Sequence, residues 1–182
     1  MRVGLARLAL TAAFLSAAAC GSDEASQRAG SGGTQTAAVE RPGSAEEMRA
    51  AILAAADSGS YDGLRPLVDA DTFLSDFGFG DEPDPVGRWE ATGPKPLRAM
   101  AALLRMSHVV RETNEGTLHE WPDYDPDSKP SDLTAEDRKL FRTFLSGDEL
   151  EQLILPELGY TGPRLGILAD GTWWFFILEG GP

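Results

Sequence analysis

With 29 acidic against 16 basic side chains in 182 residues, the chain carries a formal charge of −13 at pH 7. Such a surface repels phosphate backbones and anionic headgroups, which excludes nucleic acid as a partner and electrostatic docking as a route to a bilayer. A single cysteine excludes a disulfide framework and a cysteine metal site, so one domain's worth of chain must be held by its apolar core.

The first segment, "MRVGLARLALTAAFLSAAACGSDE", starts with Arg2 and Arg7, runs through a short apolar stretch from Leu8, and reaches Cys20 through Ala17, Ala18 and Ala19. This is the three-part layout of a secretory signal, and it is well short of the about 20 apolar residues of a membrane span. "SAAAC" resembles the bacterial lipobox, with Ala17 standing where Leu is usual. The resemblance implies that residues 1–19 are a lipoprotein signal peptide. It also implies that the Cys20 thiol carries diacylglycerol and its freed amine a further acyl chain such as palmitate. Each buried methylene contributes about 0.8 kcal/mol, so two or more chains anchor the protein durably. The alternative is an ordinary signal peptide with an incidental cysteine. Gly21, rather than Asp, follows the cysteine, so nothing here resembles the inner-membrane retention signal of Gram-negative lipoproteins.

Residues 20–43 continue as "CGSDEASQRAGSGGTQTAAVERPG", rich in Gly, Ser, Thr and Ala and without an aromatic residue. A chain of this composition cannot bury enough surface to order itself, and spans roughly 25 to 30 Å as a tether. A single domain is expected over 44–182.

That domain opens with "SAEE", a capping box of Ser44 and Glu47, followed by Met48, Ile52, Leu53 and Ala56 at helical spacing, which predicts a helix over 45–57. "YDGLRPLV" predicts a second, short helix, and "DTFLSDFGFGDEPDPVGRW" a strand followed by a turn-rich loop. "KPLRAMAALLRMSHVV" resumes helical spacing, with Pro96 in the first turn and Leu97, Met100, Ala101 and Leu104 as the buried stripe. Asn114 to Gly116 predict a turn leading into a strand. After an acidic loop, Thr134 and Asp137 cap a helix carrying Leu140, Phe141, Phe144 and Leu145 and ended by Gly147, with a short helix at "DELEQLIL". The last signal, "RLGILADGTWWFFIL", is two apolar runs joined by Asp170-Gly171, the dipeptide suited to a type I' hairpin turn. The expected class is α+β, helices packed on a small antiparallel sheet with a C-terminal β-hairpin.

The first helix, "DSGSYDGLRPLVDADTFLSDFG", the following Gly-led helix and the closing "LADGTWWFF" pair are similar to nuclear-transport-factor-like and SnoaL-like proteins. That resemblance implies a cone-shaped fold in which helices pack on a curved antiparallel sheet around a pocket. The family includes enzymes and non-enzymes, and none of its catalytic residues has a matching motif here.

Any acid–base or zinc chemistry must use His108 or His119, the only histidines. Together with Glu112 and Glu120 they suggest a two-His, carboxylate site, but the spacing matches no established metal motif, and "HEWPD" lacks the second histidine of a metalloprotease helix. Two ordinary half-exposed histidines are the expected outcome, with no metal and no cofactor. Asp123, Asp125 and Asp127 alternate as at the start of a calcium loop, yet Ser128 stands where Gly is needed and Thr134 where a bidentate Glu should be, so a solvated acidic loop is expected. No serine lies in a G-x-S-x-G context and no phosphate-binding glycine pattern is present. No catalytic residue is assigned.

Within Trp173, Trp174, Phe175 and Phe176, strand alternation places Trp173 with Phe175 on one face and Trp174 with Phe176 on the other. Helices cover both faces, or one lines a pocket or presents an aromatic surface to a ligand. Trp89, His119, Trp121, Trp173 and Trp174 are the candidate ligand surface. The expected protein is a membrane-anchored lipoprotein of the bacterial cell envelope, facing the outside or the periplasm and held by Cys20, with a non-enzymatic domain binding a small molecule or protein. An enzyme with a cone-like pocket using His119 or a buried carboxylate is the alternative, and a structural partner of an envelope complex the third. A pocket lined by Trp89, Trp121 or Trp174 with a histidine favours the enzyme; a flat apolar patch favours the partner protein.

Overall fold

The structure, a computed structural model, describes residues 41–75, 78–79 and 83–179. The expected signal segment 1–19, Cys20 and nearly all of the tether lie outside them.

Helix α1 spans Ala45–Ser58, and Ser44 Oγ accepts the Glu47 amide at 3.3 Å as the sequence predicts. Glu47 reaches back one residue further than in a standard capping box, accepting the Gly43 amide at 2.9 Å. Met48 and Ile52 are fully enclosed against α3 (Lys95–Leu103). The Arg49 guanidinium donates twice to the Leu104 carbonyl, at 2.9 and 2.8 Å, which satisfies an orphan acceptor at the α3 C-terminus and ties the two helices together. The short helix expected after α1 is instead two 3₁₀ turns, Tyr61–Gly63 and Arg65–Leu67, because Gly63 and Pro66 interrupt a regular helix.

Two stretches differ from expectation in type. Residues within the predicted loop form helix α2, Pro85–Ala91, capped by Asp84, whose Oδ1 accepts the Gly87 amide at 2.8 Å. Conversely, "SHVV" is not the end of α3: the helix stops at Leu103 and Val109–Thr113 is strand β3. β-branched Val109 and Val110 suit that strand better than a helix end. Ala101 is only half-buried, whereas Ala99, Ala102 and Leu103 lie in the core beside Leu97 and Met100.

Strand β4, Gly116–Trp121, returns from β3 through the expected tight turn, with Val110 opposite His119 and Arg111 opposite Leu118. Helix α4, Ala135–Phe141, ends earlier than expected, and Gly147 is the first residue of α5 (Gly147–Glu151) rather than a terminator. Ser146 and Glu149 close a full capping box there, which is the stronger local signal. A small hairpin not foreseen from the sequence pairs β5 (Ile154–Leu155) with β6 (Gly159–Tyr160).

The chain closes with β7 (Arg164–Leu168) and β8 (Trp173–Ile177). The main sheet has the order β2-β1-β8-β7-β4-β3, with β1 at Leu74–Ser75 and β2 at Gly78–Phe79. The α+β class is as expected, but the sheet is mixed, because β1 lies parallel to β8 and antiparallel to β2. The β7–β8 turn is also not the two-residue I' type. Leu168 accepts the Gly171 amide and donates to the Thr172 carbonyl, both at 2.9 Å, with Gly171 alone in the turn at φ +87° among its glycines. This is a three-residue loop with a left-handed glycine after it has turned. A Cβ on Gly171 would also come within 2.3 Å of the Pro42 carbonyl oxygen, where the domain's first residues cross the turn.

Candidate functional site

The aromatic run on β8 does not alternate simply. Gly166 pairs with Phe175 and Ile167 with Trp173, leaving Trp174 as a bulged residue. The extra residue sends Trp173 and Phe176 into the same main core, while Phe175 and Trp174 belong to a second cluster with Leu118 and Leu168. The predicted pairing of Trp173 with Phe175, and of Trp174 with Phe176, is thereby corrected. On the main-core side Trp89 from α2 meets Trp173 at 5.8 Å and Phe176 edge-on at 5.3 Å, and Phe73 meets Trp173 edge-on at 5.2 Å. Trp173 Nε1 donates to the Phe175 carbonyl at 3.1 Å. Trp89 Nε1 is buried without a hydrogen-bond partner, enclosed by those rings. Two of the candidate surface residues, Trp89 and Trp173, are thus core, each about 1% exposed. Trp174 is half-buried on the other face.

The remaining two candidates come together with His108. Trp121 is buried at the end of β4, and His108 stacks on its ring at 4.6 Å. His119, two residues earlier on the same face of β4, places Nδ1 3.1 Å from His108 Nε2. Partial desolvation of its ring, the neighbouring His119 and Arg49 hold the His108 pKa below its ordinary value, opposed by Asp123 and Glu46. Alternation along β4 turns Glu120 to the opposite face, where it is 7% exposed and bonds Arg164 at 2.9 Å and Arg111 at 3.2 Å. Glu112 is engaged by the Thr117 hydroxyl at 3.0 Å. The two carboxylates imagined beside the histidines are therefore not part of one cluster, and among the described residues no group of three or more His, Cys, Asp or Glu is placed to hold a metal ion.

The acidic loop is likewise occupied with its own structure. The Asp125 carboxylate accepts the Asp127 amide at 2.9 Å and the Ser128 hydroxyl at 3.2 Å, and the Tyr124 hydroxyl donates to Asp137 at 2.7 Å. Burial, followed by the Asp137 carboxylate, pushes the Tyr124 phenol up.

A cleft of about 340 Å³ opens elsewhere, between the start of α3, α5, the β5–β6 hairpin and the end of β8. Leu145, Leu153, Leu155, Leu158, Pro163 and Leu178 form its apolar walls, and Leu158 is half exposed. At its rim Lys95 Nζ bonds Glu149 Oε1 at 2.7 Å. That ammonium, with the amide and hydroxyl of Ser146, holds the Glu149 pKa down at about 2. None of the tryptophans or histidines singled out in the sequence lines this cleft. The short helix read at "DELEQLIL" is its local trace, and the Ser146–Glu149 capping box is a further signal that could have pointed to it, since the leucines meet only through tertiary packing.

The chain matches no family model, no curated protein and no solved structure.

Proposed function

We propose that the protein is a membrane-anchored lipoprotein of the bacterial cell envelope. Its lipidated Cys20 and tether hold a non-enzymatic domain whose leucine-walled cleft takes a small apolar ligand or an apolar side chain of a partner. The observation that carries the binding half is the cleft itself: its volume of about 340 Å³ is in the range of small-molecule sites, and its apolar walls meet a fixed ion pair at the rim. The apolar run and the small residues before Cys20 support the anchor. The likeness to the nuclear-transport-factor-like cone rests on the sequence stretches that carry it, from Asp57 to Gly78 and from Leu168 to Phe176.

Two measurements test the proposal. Mass spectrometry of the N-terminal peptide from membranes is expected to show acylated Cys20, and Cys20→Ala to release the protein from the membrane fraction; unchanged fractionation would refute the anchor. Fragment screening by NMR is expected to perturb the methyl groups of Leu153, Leu155 and Leu158 together. Leu158→Asp is expected to abolish those perturbations, because it places a charge on the apolar wall. Perturbations that cluster elsewhere, or that survive Leu158→Asp, would remove the cleft from the reading.

A further inference from the structure

We propose that His108 and His119 form a two-imidazole chelate for a divalent transition-metal ion of the zinc or copper type, with the other coordination positions open to solvent. The spacing carries the argument. Nitrogens at zinc distances of about 2.0 to 2.1 Å stand ~3.3 Å apart in a tetrahedral site, and neighbouring nitrogens in a square-planar copper site ~2.9 Å apart. His108 Nε2 and His119 Nδ1 are separated by 3.1 Å, between those two values.

Both residues are placed by the fold before any ion arrives. His119 sits inside the sheet, paired with Val110 on one side and Ile167 on the other. His108 lies flat on Trp121, with ring planes inclined by 28°, and the adjacent Ser107 carbonyl accepts the Asp123 amide at 3.0 Å. A pair ordered in advance loses little conformational freedom on binding. Both residues also reach solvent, His108 being exposed and His119 half-buried, so an ion has access.

In the metal-free pair one imidazole donates its N–H to the other's lone pair. Coordination needs a lone pair from each ring, so the donor ring changes tautomer, its proton leaving one nitrogen and the other nitrogen taking one up. No net proton is released and no redox step occurs, and the rings turn so that both lone pairs meet at one point. Around His108 the carboxylates of Asp123 and Glu46 oppose the Arg49 guanidinium, in a chain whose net charge is −13. Imidazole nitrogen selects zinc, copper or nickel over calcium and magnesium, which prefer oxygen.

The test uses the full chain carrying Cys20→Ser, so that the thiol does not compete. Zinc titration by calorimetry is expected to show one site that calcium does not displace. That site is expected to weaken tenfold or more in His108→Gln and equally in His119→Gln, with unchanged circular dichroism. With copper, electron paramagnetic resonance is expected to count two imidazoles in the parent and one in each variant. Absence of zinc binding, loss in only one of the variants, or a single imidazole on copper in the parent would each overturn the chelate. Should His119→Gln disturb the sheet, the His108→Gln titration and the imidazole count in the parent still decide it, because His108 precedes β3 and lies outside the ladder.

Discussion

The two faces of the main sheet bury aromatic and apolar residues by different means. The inner face packs against helices and surrounds Trp173 and Phe176 with Trp89 and Phe73. The outer face closes over itself: Leu118, Leu168 and Phe175 are 4%, 8% and 9% exposed, in contact with partly buried Leu74, Trp174 and Ile177. Beside them Glu120 is clamped between Arg111 and Arg164, and the Arg164 guanidinium lies 5.3 Å from the Tyr160 ring centre. The Phe175 ring lies so close over Gly166 that a Cβ there would come within 2.3 Å of it. The difference teaches that neighbouring aromatics of one strand can hold opposite stations in a fold. A single bulged residue, Trp174, assigns them.

The sharpest way to break this comparison is to truncate the two tryptophans separately. Trp173→Ala is expected to destabilise by about 3 to 5 kcal/mol, as for a large aromatic in a packed core. Trp174→Ala, which removes a half-buried ring, is expected to cost no more than about 1.5 kcal/mol. Chemical denaturation of both variants measures the gap, and equal costs would mean that the bulge does not divide the faces as described.

On the outer face, Glu120→Gln keeps the shape and removes the charge that two guanidiniums share. Since Arg111 and Arg164 remain partly solvated, with 42% and 28% of their side chains exposed, the expected cost is about 2 kcal/mol rather than that of a fully buried pair. Thermal melts in low and high salt would check it, and a variant as stable as the parent would reduce the clamp to decoration. A comparable cost, about 2 kcal/mol, is expected for Gly166→Ala, because its methyl group meets the Phe175 ring. Adding Phe175→Leu should recover part of that loss; if the double variant shows only additive damage, the ring is not what excludes a side chain at 166.

The smallest effect lies at the cleft rim, away from both faces. The Glu149 carboxyl is held down at about 2, so its interactions contribute stability that is fully present above the ordinary carboxylate range and lost as pH falls from about 4.5 toward 2. Lys95→Met should raise that pKa toward the ordinary value, read by NMR titration of the side-chain carbonyl. It should change stability at neutral pH by less than about 1 kcal/mol, because both partners are half exposed. An unmoved Glu149 titration would assign the depression to Ser146 alone.

Local patterns by themselves determined much of this protein. Ser44 with Met48 and Ile52 specifies α1, and Asp170-Gly171 between apolar runs specifies a closing hairpin, because caps, helical spacing and turn residues act within a few positions of one another. Even α2 was within reach, since Asp84 and Pro85 are a helix start written in sequence. Tertiary structure alone decided the rest. Where α3 yields to β3 depends on partners for Val109 and Val110, and no local signal states that Trp174 will bulge. The parallel neighbour β1, the stacking of His108 on Trp121 and the gathering of Leu145, Leu153 and Leu178 into one cleft join residues distant in sequence. Such contacts follow from the closing of the sheet and its layers, which periodicity within a window does not encode.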